Sequence, residues 1–116
     1  MSIQTELVTL LSSLVAGRVY PSGTASTVTP YLTYARVVAI EQVTLDSNGG
    51  VDNIVNTRMQ IDAWASSYGA AQTLSESVRS ALKGWANSNI VLSEEDGYEP
   101  ETKLHRVMLD TSVFHG

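Results

Sequence analysis

Residues 56–85 read NTRMQIDAWASSYGAAQTLSESVRSALKGW, and the hydrophobic period changes inside this stretch. Thr57, Met59, Ile61 and Ala63 alternate with Arg58, Gln60, Asp62 and Trp64, the period of two that a strand shows when one side lies on a core. Ala71, Leu74, Val78, Ala81, Leu82 and Trp85 then recur at spacings of three and four, which makes an apolar stripe on a helix. Ser66 or Ser67 can cap that helix, and it ends near Gly84 and Trp85. A strand that runs straight into an amphipathic helix packs the helix back on its own sheet. The stretch therefore predicts a small α+β domain.

Working outward, Ile3, Leu7, Leu10, Leu11 and Leu14 line one side of a helix over residues 3–15, with Ser2 placed to cap it and Gly17 to end it. Val8 and Val15 widen that face toward the sheet or a neighbouring subunit. Arg18 to Pro21 reads as extended chain, and SGTASTVTP (22–30) as a surface loop suited to partner contact. From Tyr31 to Val43, Leu32, Tyr34, Val38 and Ile40 share one parity while Tyr31, Ala35, Val37 and Val43 share the other, a strand covered in part on both faces. DSNGG (46–50) predicts a turn, so a strand beginning near Ile54 returns antiparallel. Downstream, Ile90 to Leu92 reads as a short strand, SEEDGYEPE (93–101) as a charged loop, and residues 103–114 as a last strand with His105, Val107, Leu109, Thr111 and Val113 on one face. The sum is two helices packed on a predominantly antiparallel sheet, in a single domain over residues 1–116.

Composition narrows the function. A chain of 116 residues builds one core. It has no cysteine, so it carries no disulfide or thiolate metal site, and two histidines leave little for an imidazole centre. No apolar stretch approaches the roughly 20 residues of a membrane helix, and the expectation is a soluble product without a cleaved leader. Seven Lys/Arg against twelve Asp/Glu, a formal charge of -5, argue against broad DNA binding. The acids concentrate in Glu94, Glu95, Asp96, Glu99 and Glu101, which leaves the rest of the chain near balance.

The motif tests find no catalytic signature. His105 and His115 have no chelating spacing, there is no GxSxG elbow, and no glycine-rich phosphate loop is followed by Lys and Ser/Thr. Asp46, Asn48 and Asp52 depart from a calcium loop at Gly49 and Gly50 and lack its downstream Glu, so a solvated hairpin is the better reading. Asp62 and Asp110 can approach across the sheet, but a carboxylate pair needs a pocket and distinct proton affinities to do chemistry. The expectation is therefore no catalytic residue, no metal and no cofactor. Arg36, Arg58 and Arg106 each fall inside strand-like sequence. Aligned with Asp62, Asp110 or Glu41 they form either one solvated side of the sheet, or polar ladders and subunit salt bridges. Tyr98, set among acids, is suited to anchor that loop in a partner groove.

GRVYP (17–21), PYLTYARV (30–37), QIDAWA (60–65) leading to a helix that starts at Tyr68, and HRVMLDTS (105–112) together resemble the small tail-completion proteins, tail terminators among them, of long-tailed bacteriophages and gene-transfer particles. The resemblance covers nearly the whole chain. It implies an α+β subunit that forms a homo-oligomeric ring, commonly a hexamer, at the head-proximal end of the tail. Such a ring stops tube growth, sits on the last ring of the major tail-tube protein, and offers the surface met by a head-completion or connector protein. DNA passes through it without sequence-specific recognition. The implied location is the virion, in the tail at the head–tail junction, with assembly in the host cytoplasm. Gly17, Arg18, Tyr20 and Pro21 then form the start of the loop, Pro30 and Tyr31 open the next strand, and Gln60, Asp62, Trp64 and Tyr68 mark the strand-to-helix junction. Candidate structural or interface residues are Arg18, Tyr20, Tyr31, Arg36, Arg58, Asp62, Trp64, Tyr68, Tyr98 and Arg106. Two other readings stand beside this one: a head–tail connector component, and a small-molecule enzyme whose site, with Asp62 and one histidine, is built between subunits.

Overall fold

The computed structural model describes residues 3–23, 28–45 and 51–115. Helix α1 is Ile3–Leu11, continued by a short 3-10 turn at Ser12–Leu14, and strand β1 is Val19–Pro21. Then come β2 (Tyr31–Leu45), β3 (Val51–Ala65), α2 (Tyr68–Lys83), β4 (Ser88–Glu99) and β5 (Leu104–His115). The five strands form one sheet in the order β1-β2-β3-β5-β4. Only β1 with β2 is parallel; the other neighbours are antiparallel. This is the α+β arrangement of two helices on a predominantly antiparallel sheet that the periodicity predicts.

Both helices lie on one face of that sheet, because the apolar rows of the strands all turn there. Thr57, Met59, Ile61, Ala63 and Ala65 of β3 are buried, as are Val107, Leu109, Thr111 and Val113 of β5. Over them pack Leu7 and Leu11 of α1, Val15 beyond it, and Ala71, Leu74, Val78 and Leu82 of α2. A helix of nine residues does not persist alone. Burial of Ile3, Leu7 and Leu11, at about 1.5–3 kcal/mol for each side chain, is what holds α1 in place. The α2 start is closed by Ser67, not Ser66: its hydroxyl accepts from the Ala70 N–H at 3.2 Å. Gly17 takes a left-handed φ of 83° and its N–H reaches the Ser12 carbonyl at 2.7 Å, so it ends the first helical segment as its position predicts.

Three expectations are corrected. Residues 93–101 are not a charged loop, because β4 runs on to Glu99 with Ser93 opposite Asp110 and Glu99 opposite Leu104. Only Pro100 to Lys103 turn. The acids are tolerated in a strand because α2 satisfies two of them: Glu94 accepts from Ser75 and Arg79, and Asp96 accepts from Tyr68. The row Leu32, Tyr34, Val38 and Ile40 does not keep one parity. Arg36 pairs with Met59 but Val38 with Arg58, so Val37 is the extra residue of a β-bulge and the alternation reverses past it. Ile90 to Leu92 is the start of a twelve-residue strand, itself bulged between Val91 and Ser93. The Ser2 cap, the turn at 46–50 with its calcium alternative, and the middle of the 22–30 loop lie outside the described residues. β2 and β3 pair from Tyr31 with Trp64 to Leu45 with Val51, whereas β5 stops at Val55. The hairpin therefore extends past the rest of the sheet, and the molecule measures 55 × 22 × 22 Å.

Candidate interaction face

The face of the sheet away from the helices carries most of the chain's singular side chains, by the same alternation that builds the core. Tyr31, Thr33, Arg58, Gln60, Asp62, Trp64, Arg106, Met108 and Asp110 fall on it, since each is out of phase with a core row or register-paired with a residue that is. At one end the aromatic rings run in series. Tyr20 meets Tyr31 with centroids 6.2 Å apart, Tyr31 stacks on Trp64 at 5.9 Å and 11°, and the Arg106 guanidinium lies 5.6 Å from the Trp64 ring. Arg106 is held from its far side by β4. A methyl at Gly97 would stand 3.2 Å from its Nε and Nη2, so the missing side chain at 97 is the space that the guanidinium occupies.

Below the rings lies a polar row. Asp62 is only 5% exposed although it faces away from the core. Gln60 Nε2 donates to its two oxygens at 3.2 and 3.3 Å, Thr33 Oγ1 donates at 3.4 Å, and the Thr33 hydroxyl accepts from Trp64 Nε1 at 3.0 Å. Burial pushes the Asp62 carboxyl above the ordinary aspartate value, against the opposing pull of Gln60, the Arg106 charge and Thr33. Further along, Arg58 Nη2 forms an ion pair with Asp110 Oδ2, while Arg58 Nε and Asp110 Oδ1 are buried and make no hydrogen bond. Asn56 Nδ2 then donates to Ser112 Oγ at 2.6 Å. Asp62 and Asp110 thus have separate partners and do not share a proton.

Two other candidates meet elsewhere. On the helix side, at the α2 N-terminus, Tyr68 donates its hydroxyl to Asp96 Oδ2 at 2.7 Å and accepts from Gln72 at 2.8 Å. Its phenol is held above the ordinary tyrosine value, chiefly by that bond to Asp96. The His105 ring lies 6.1 Å from Tyr68 and 4.9 Å from Tyr98. Both tyrosines are about half exposed, at 46% and 54%. Arg18 stands at the sheet edge, its Nε donating to the Pro30 carbonyl at 2.9 Å and so fastening the end of the 22–30 segment. Arg36 joins none of these. It pairs with Met59 on the other side of the pleat, exposed just before the bulge, so only Arg58 and Arg106 of the three strand arginines enter the polar row.

Thr33, Asn56, Gln60, Ser112 and Gly97 complete this face, and all but Gln60 were missing from the candidates because uncharged polar residues carry no signal until their strand partners are known. Among the described residues no group of His, Asp and Glu is placed to hold a metal ion. His115 is engaged by the Thr57 hydroxyl at 2.8 Å. A groove of about 570 Å³ between the end of α2 and the start of β4 is lined by Arg79, Lys83, Trp85, Asn89 and Ile90, a set without a nucleophile beside a base. The arrangement suits recognition of a broad surface through aromatic, arginine and amide groups.

The family model described as tail completion protein gp17 matches residues 6–116. Among solved structures, a chain from the virion of a native gene transfer agent particle aligns with a TM-score of 0.59 at 14% identity, over 97% of this chain and 93% of that one. That likeness is one of fold. No curated protein matches the sequence.

Proposed function

We propose a place and a task for this protein from one premise: the chain belongs to the tail completion protein gp17 family and is a structural protein of a phage-type tail. It assembles with copies of itself, as a hexamer, into a ring at the head-proximal end of the tail. There it ends growth of the tube, meets the major tail-tube protein on one side and a head-completion or connector protein on the other, and leaves a passage for DNA. The ring is noncatalytic. Its net charge of -5 keeps the subunit from holding the DNA that moves past it.

The observation that carries the ring reading is the pair of open sheet edges. β1 covers only Leu32 to Tyr34 of β2, so β2 from Ala35 onward has no strand on its outer side among the described residues, and β4 has none along its length. Exposed apolar side chains stand on both: Val37 at 58% on one, Ile90 at 58% and Leu92 at 50% on the other. Unpaired edges with apolar residues invite pairing by another chain, and a repeated subunit removes the edge by closing a ring.

The test uses purified protein added to tail-tube protein during polymerisation. Labelled protein should appear at one end of each tube and mean tube length should stop increasing. Label distributed along the tubes, or tubes that lengthen as in its absence, would contradict the assignment.

A further inference from the structure

The two sheet edges match each other in height, in face and in charge. Arg18 precedes β1, and its carbonyl accepts from the Leu32 N–H at 2.9 Å, which sets it level with Tyr31 and Leu32. Val19 is buried in the core, so the pleat turns Arg18 and Tyr20 to the helix-free face. Across the sheet, Tyr31 pairs with Trp64, Trp64 with Arg106 and Arg106 with Gly97. Glu95 and Glu99 flank Gly97 on that same face, opposite Met108 and Leu104. The face therefore has a cation at one edge and two carboxylates at the same level of the other. Arg18, Glu95 and Glu99 form no salt bridge among the described residues, whereas Glu94, on the opposite face, is paired with Arg79.

A second match lies farther along the strands. Arg36 is level with Met59, Thr111 and Val91, so the bulged Val37 stands at the height of Val91 and Ile90. Exposed apolar residues on opposite edges thus share a level as well. Strand direction agrees too: β4 runs antiparallel to β2, so a copy set beside the first continues the sheet with antiparallel neighbours. Two β4 edges meeting about a two-fold axis would also be antiparallel, but would set Glu95 and Glu99 against their own copies, which like-charge repulsion opposes.

We infer that the β4 edge of one copy docks on the β1–β2 edge of a second copy, with Arg18 between Glu95 and Glu99 and with Val37 against Ile90 and Leu92. The contact is head-to-tail, so each copy uses one edge as donor and the other as acceptor. It names the interface of the ring proposed above, and rests on that reading for closure and copy number.

The chain has no cysteine, which permits a clean test. Val37→Cys/Ile90→Cys protein, in assembled tails and in concentrated solution, is treated with a short bis-maleimide. A ladder of multimers ending at the copy number of the ring is expected. Mixing the two single-cysteine proteins should give dimers only. Arg18→Glu alone, or Glu95→Lys/Glu99→Lys alone, should reduce cross-linking about ten-fold, and combining them should restore it. Absence of a ladder in both settings, or dimers from Ile90→Cys alone, overturns the interface. If the variant occupies tail ends without a ladder, the interface fails and the tail reading stands. A ladder in solution from protein that never reaches tail ends has the opposite meaning.

Discussion

Asp62 shows what one side chain contributes to this face. A carboxylate nearly withdrawn from water holds its proton more tightly in the folded protein than in the unfolded chain. Its contribution to stability is then complete at low pH and is lost as the pH rises through the higher folded value. Asp62→Asn should accordingly melt at a higher temperature than the wild type at pH 7, with the difference shrinking as the pH falls to about 4 and below. A difference independent of pH would contradict that. Thr33→Val removes both the hydroxyl that Trp64 Nε1 donates to and a donor to Asp62, and should cost about 1–3 kcal/mol in urea titrations. Asp62, Trp64 and Arg58 were legible in the sequence because they alternate with Met59, Ile61 and Ala63. Arg36 was not placed correctly, since nothing local marks Val37 as a bulge, and one extra residue exchanges the faces.

At the scale of elements, α1 and α2 were legible from their stripes, because a helix with a buried side repeats its apolar residues whatever it packs against. Leu7→Ala, at a fully buried position of α1, should cost about 2–5 kcal/mol, read by thermal unfolding. Ser67→Ala should cost about 1 kcal/mol through loss of the α2 cap. The second half of β4 was not legible. Its alternate residues are Glu94, Asp96 and Tyr98 against Glu95, Gly97 and Glu99, so no apolar period announces a strand. What makes it one is distant in sequence: the β5 register, and Ser75, Arg79 and Tyr68 on α2. Gly97→Val tests that packing from the other side. It should displace the Arg106 guanidinium from Trp64 and change the near-ultraviolet signal of the tryptophan while leaving the helical signal intact.

The whole molecule is an elongated sheet with helices on one face and an aromatic and polar surface on the other. Folding leaves β4 and the outer part of β2 unpaired. A monomer has no use for such edges, and a subunit of a closed ring does. The family membership and the edges agree on assembly, and the helix-free face offers a broad surface to the tube or to the head-side partner. How far the ring was legible in the sequence follows from the same division. Strand period and helix stripe are local and were read directly; edge exposure depends on strand order, which no local pattern contains. The most direct measurement is electron microscopy of particles assembled with and without this protein. Without it, tails of abnormal length or tails unable to join heads are predicted, and adding the protein back should restore both. Tails of normal length joined normally to heads in its absence would contradict the account.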